Sequence, residues 1–204
     1  MGTILKLRTH KRLLPALALT ILVVAIAGGL AAGGVFASGK PPVPPAQTSS
    51  AVPAQLSEHF AVLNQAQSAD VPSSVQSVAV GANEQYGLNP SLAREAAYGP
   101  STPAIWVIPG SQGICIHVMT EVPSGGCTSI KNALAGQLQI EVGGKTVYGL
   151  APDGNPKVVV HDTDGSSESV SVEQNVYVIS KGGDAQSVRL SDSAGQAQTI
   201  NVKE

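Results

Sequence analysis

Cysteine, aromatic residues and positive charge are all scarce in this chain. Its two cysteines, Cys115 and Cys127, leave little thiol chemistry to consider. A thiol nucleophile or a thiolate metal site needs free thiolates. An even pair separated by a short loop in an exported chain most simply forms one disulfide. Closing such a loop stabilises by roughly 3 kcal/mol in the chain-entropy view. Aromatic residues make up 3% of the chain. That is too few for the exposed ring platforms on which carbohydrate binding usually rests, and Trp106 lies within an apolar strand where packing is the default. The core must therefore be built from Val, Ile, Leu and Ala. From Ser38 onward, eight Lys/Arg face fourteen Asp/Glu, a balance of −6. Such a surface lacks the phosphate-neutralising charge that nucleic-acid binding requires. It would also be repelled by anionic lipid headgroups and anionic wall polymers.

The chain begins with a basic head followed by a long apolar run. Lys6, Arg8, Lys11 and Arg12 precede an uncharged segment from Leu13 to Ala37. A membrane-crossing helix needs roughly 20 apolar residues, and this run is long enough to span with tilt. Basic residues on its N-terminal side place that side in the cytoplasm. The expectation is a cytoplasmic head (1–12) and a transmembrane anchor (13–37), with everything after it outside. The same letters fit a signal peptide cleaved near Ala37, after Val35-Phe36-Ala37, which would release the remainder. Gly29 and Gly33 form a GxxxG pair, an inexpensive match in a Gly/Ala-rich segment.

Residues 38–55 hold five prolines among small polar residues and read as a semi-rigid polyproline II spacer. Residues 56–99 read as helical and partly disordered. Leu56, Phe60 and Leu63 have helical spacing with Ser57 as N-cap, and Ser68 to Gly87 is small and weakly periodic. Asn89-Pro90 is a cap followed by proline at the first helical position, predicting a short helix over Leu92 to Tyr98.

After Pro100 the texture becomes short strands and turns. Strands are predicted at 104–108, 114–119, 137–142, 145–150, 157–161, 169–173, 176–180, 186–190 and 198–202. A short helix capped by Thr128 is predicted over 128–134. Gly143-Gly144, Pro152-Asp153-Gly154-Asn155 and Asp164-Gly165 supply hairpin turn chemistry. The fold class expected is mainly β (α+β): a small antiparallel sandwich or barrel-like sheet over 100–204, with short N-terminal helices.

Candidate chemistry is thin. Asp162-Thr163-Asp164-Gly165-Ser166-Ser167-Glu168 resembles a calcium loop but lacks the third acidic position and the correct Glu offset. A polar hairpin explains it. His59, His117 and His161 form no close pair, and no HExxH occurs. Gly110-Ser111-Gln112-Gly113 is one residue short of a nucleophile elbow. Glu121, Glu141, Asp153 and Glu173 are too scattered to suggest a paired-carboxylate cleft. No catalytic residue, metal ligand or cofactor is therefore assigned, and only Cys115 and Cys127 are named, as a disulfide.

Three stretches carry a resemblance: Tyr148-Gly149-Leu150-Ala151-Pro152-Asp153-Gly154, then Lys157-Val158-Val159-Val160, then Asn175-Val176-Tyr177. Ala93-Arg94, Ile105-Trp106-Val107-Ile108-Pro109 and Gly113-Ile114-Cys115 accompany them. In these the chain resembles a group of actinobacterial exported or membrane-anchored proteins with a YGLxPDG…NxY β-domain pattern, over roughly residues 56–180. Ala151 and Asn155 stand where the pattern favours valine-like residues. The resemblance implies export and a compact β-rich domain, and it carries over no catalytic or binding residue.

The function expected is a non-enzymatic cell-envelope protein presenting an extracytoplasmic interaction domain to an envelope protein or wall component. A secreted enzyme or enzyme inhibitor is the alternative. Converging His and Asp/Glu side chains in a pocket would favour the enzyme, and an exposed apolar patch or open sheet edge the binding module.

Overall fold

A computed structural model describes residues 51–67, 70–192 and 195–202. The basic head, the apolar run 13–37 and the spacer up to residue 50 lie outside the described residues. Among the described residues no helix is long and apolar enough to cross a membrane.

The described chain is mainly β, with eleven strands in three open antiparallel sheets, where strand spacing alone suggests a single sandwich or barrel-like sheet. The first sheet runs in sequence order through β1 (Arg94–Ala96), β2 (Ile105–Pro109), β3 (Gly113–Val118) and β4 (Ser124–Ser129). The second contains β5 (Leu138–Val142), β6 (Thr146–Leu150) and β9 (Val176–Ile179), in that order. The third has the order β11 (Ala197–Asn201), β10 (Ala185–Ser191), β7 (Lys157–Asp162), β8 (Ser167–Ser171).

Strand composition sets the layering. β2 and β3 are buried along their whole length, as near-continuous apolar runs must be when both faces are covered. One face of the first sheet (Ile105, Val107, Ile114, Ile116, Val118) packs on Leu138, Tyr148, Leu150 and Val176 of the second. The opposite face of the second sheet (Val147, Tyr177, Ile179) packs on Val158, Val160, Val188 and Leu190 of the third. The middle sheet is therefore enclosed on both sides, whereas β10 alternates buried and exposed residues, the pattern of an outer layer with one solvated face. Complete burial of a side chain such as Leu56, Phe60, Ile116 or Leu150 contributes about 1.5–3 kcal/mol.

The N-terminal part differs from its sequence reading. The spacing of Leu56, Phe60 and Leu63 suggests one helix, but the chain makes a single turn, α1 (Ala54–Ser57), then a separate 3-10 turn over Ala61–Asn64. The extended conformation of Phe60 between them lets Leu56, Phe60, Val62 and Leu63 all reach the core. Ser57 ends α1 rather than capping it. Ser73–Tyr86, weakly periodic in sequence, is the longest helix among the described residues, α2. Val75 and Ala79 are buried, flanked by Val78, Ala82 and Tyr86, against the face of the first sheet that carries Trp106, Ile108 and Cys115. Gly87, at φ 59°, ends the helix and donates its N–H to the Asn83 carbonyl, the left-handed cap that glycine favours.

Asn89 does cap a helical turn, accepting from the Ser91 N–H at 3.0 Å, but the turn stops at Leu92. The predicted helix beyond it is instead β1, because ladder pairing with β2 captures Arg94–Ala96. Likewise Thr128 is a strand residue of β4, and Ser129 caps the short helix α3 (Ile130–Leu134). Gly143 and Gly144 (φ 64° and 68°) form the β5–β6 hairpin, the mirror-image turn that twisted strands prefer. Pro152–Asn155 makes no hairpin, since β6 and β7 on either side of it belong to different sheets.

Candidate functional site

Cys115 and Cys127 face each other across β3 and β4 and form a disulfide, with their Cα atoms 4.0 Å apart. It lies under α2, so the bridge locks an edge strand to the sheet that the helix covers.

The two main resembling stretches come together. Asn175, with φ 67°, sits in the tight turn between β8 and β9. Its Nδ2 donates to the Ala151 carbonyl at 3.0 Å and to Asp153 Oδ1 at 2.8 Å, and its Oδ1 accepts from the Val62 N–H at 3.0 Å. Asp153 Oδ1 also accepts from the Ala61 N–H at 3.2 Å, and the Asp153 N–H donates to the His59 carbonyl at 2.8 Å. This clasp ties the α1 region to the ends of β6 and β9. A further interlock lies along the cross-strand row Gln139–Gly149–Tyr177. The Tyr177 ring occupies the space a Cβ on Gly149 would need, and Gln139 Nε2 donates to its hydroxyl at 2.8 Å. Burial pushes the Tyr177 phenol well above its ordinary value. Asp153, Asn175 and Tyr177, the bonded polar side chains of these motifs, are thus occupied in holding the fold together.

The remaining candidates are dispersed. His59 follows α1, His161 lies on the outer sheet beside Ser167 Oγ at 2.7 Å, and His117 is in the layer beneath α2. In the 162–168 loop, Asp164 Oδ1 accepts from the Ser166 N–H at 2.8 Å, and Asp162 Oδ2 from Ser166 Oγ at 3.2 Å. These bonds close a hairpin turn, and hydrogen bonding from the Ser166 side chain and N–H holds the Asp164 carboxyl below its usual range. Ser111 packs at the Gly87 cap, where its backbone N–H donates to the Gly87 carbonyl. Among the described residues, no group of three or more His, Cys, Asp or Glu is placed to hold a metal ion.

Two features stand out. The first is β11. Two hollows, of about 390 and 500 Å³, follow it. Amides line both, Gln196 and Gln198 with Asn155 in one, where Asp153 and Asp192 add carboxylates, and Gln137, Gln139 and Asn201 in the other. The Asp192 N–H donates to the Gln196 carbonyl and the Val202 N–H to the Gln186 carbonyl, each at 3.0 Å. Alternation in an antiparallel ladder then turns the N–H and C=O groups of Ala197, Thr199 and Asn201 away from β10. The sheet edge is open there. Of the six edge strands, β1, β5 and β8 carry Arg94 with Glu95, Glu141 and Glu168 respectively, whereas β4, β9 and β11 carry no charge. Sequence reasoning missed this groove because its amides come from positions some forty to sixty residues apart and none is distinctive alone.

The second is His117. It is 3% exposed, and neither ring nitrogen has a hydrogen-bond partner. An unpartnered buried polar group costs on the order of 1–3 kcal/mol. Burial also lowers its pKa, so the ring is neutral.

No family model, curated protein or solved structure matches the chain.

Proposed function

We propose that the β-rich domain is a non-enzymatic cell-envelope module, held outside the membrane by residues 13–37, that binds an extended segment of another envelope protein along β11. The observation behind this reading is the open, uncharged edge of β11. An edge strand with unpaired N–H and C=O groups templates a further strand, and natural proteins usually blunt such edges with charge, proline or cover. Added strands gain main-chain hydrogen bonds at the edge and side-chain specificity from adjoining hollows. Here the amides along both hollows supply neutral donors and acceptors, and Asp153 with Asp192 makes the first acidic, suited to a polar segment without acidic residues.

The test is a photo-crosslinking residue placed at Thr199 in intact cells, with Ser169 on β8 as the control position. A discrete protein adduct is expected at 199 and absent at 169. Adding Ala197→Pro should abolish it. That substitution removes an outward-facing N–H, which an edge strand tolerates, and leaves the bonds to β10 intact. Equal labelling at both positions, or an adduct indifferent to A197P, would refute docking at this edge.

A further inference from the structure

We propose that His117 and Met119 form a binding site for a soft monovalent cation, copper(I) being the biological candidate. The two residues are neighbours on one face of the same strand. Met119 continues β3 by donating its N–H to the Ala104 carbonyl at 2.9 Å, so its side chain emerges on the same side as that of His117. That side is the layer between the first sheet and α2.

The donors there are all soft or neutral. His117 offers an imidazole with no hydrogen bond at either nitrogen. Met119 offers a thioether, whose sulfur accepts from Ser74 Oγ at 3.2 Å and is thereby turned toward the first turn of α2. Trp106 pairs with His117 across β2 and β3, placing an indole on the same face, where a ring can attract a cation. The neighbouring Cys115 is committed to its disulfide. Calcium and magnesium need several oxygen ligands and zinc usually four donors, whereas imidazole with thioether suits copper(I).

The other flank of the imidazole lies against a glycine. Gly125 lies directly opposite His117 on β4 and is exposed. A Cβ at that position would come within 3.0 Å of His117 Nδ1. Glycine there leaves only backbone over the buried nitrogen, where a side chain would press on it and on the Ile116 carbonyl oxygen.

The chain contains one tryptophan, and it reports on this site. The full-length protein in detergent is titrated with silver(I), a redox-inert probe, and with copper(I) in competition with a chromogenic chelator. Saturable quenching of Trp106 fluorescence at one cation per chain is expected, with no response to calcium. Met119→Leu keeps the packing volume and should weaken binding by at least about tenfold, the scale of losses at metal sites. Gly125→Ala should weaken it as well. No quenching in the wild-type protein, or wild-type affinity in M119L, would overturn the proposal. Because M119L retains an apolar side chain, unfolding does not confound the result, and circular dichroism checks this directly.

Discussion

The Asn175 side-chain amide and the Asp153 carboxylate share a 2.8 Å hydrogen bond, joining positions 22 residues apart. Around that bond the chain closes on itself, because the same two side chains also receive the backbone N–H groups of Val62 and Ala61. Asn175 is 6% exposed, so its amide is a buried connector whose polar atoms are all used.

Replacing Asn175 by Ala should cost more than removal of a surface amide. It strands the Val62 N–H and the Ala151 carbonyl, each worth on the order of 1–3 kcal/mol when buried unpaired, and puts alanine at a positive φ that asparagine tolerates better. Asn175→Gly keeps the backbone freedom but loses the bonds. Urea denaturation should rank the stabilities as wild type, then N175G, then N175A. Limited proteolysis should cut first within residues 51–64 in both variants. Equal stability of N175G and wild type would show that the conformation of the turn, and not the clasp, is what matters.

Gly149→Ala should destabilise by roughly 1–3 kcal/mol, the usual range for overpacking. The added methyl collides with the Tyr177 ring and should break the bond from Gln139. In a Tyr177→Ala background the same G149A change should cost less, since the collision partner is gone, and thermal unfolding of the four proteins of this double-mutant cycle measures the difference.

Reducing the Cys115–Cys127 bridge should lower stability by about 3 kcal/mol. The bridge joins cysteines separated by 12 positions. The cost should appear as a lower Tm in the presence of reductant, and alkylation of the native protein without reductant should add no mass.

Alkaline pH should unfold the protein through Tyr177. Its folded-state pKa lies above the ordinary value of 10.0 because the ionised phenolate would be buried. Above pH 10 the unfolded chain releases this proton and the folded chain keeps it, so stability falls as pH rises from that point. Below pH 10 the group is neutral in both states and contributes no slope. Tyr177→Phe should flatten the decline above pH 10, measured by urea midpoints from pH 8 to 11, at the expense of the Gln139 bond.

Much of the β domain is legible in the letters. β-branched runs between glycine and proline turns mark nine of the eleven strands, and the local conformation of residues such as Val147, Val158 and Ile116 follows from their own side chains. Gly143-Gly144 selects its hairpin for the same local reason. A short loop between two cysteines likewise makes their pairing readable from sequence. What local chemistry does not contain is which strand lies beside which. β1 and β4 were hidden because neither Arg94–Ala96 nor Ser124–Ser129 has an apolar pattern of its own, and both become strands by pairing with β2 and β3. The amide groove and the solitary burial of His117 belong to the same category. The sequence by itself determined the β-rich composition, the turns and the bridge, since these depend on backbone propensity and short separations. Only the tertiary structure decided the three-sheet layering, the open edge at β11 and the meeting of Asn175 with Asp153. Those arise from contacts between segments distant in the chain, whose energies no local pattern encodes.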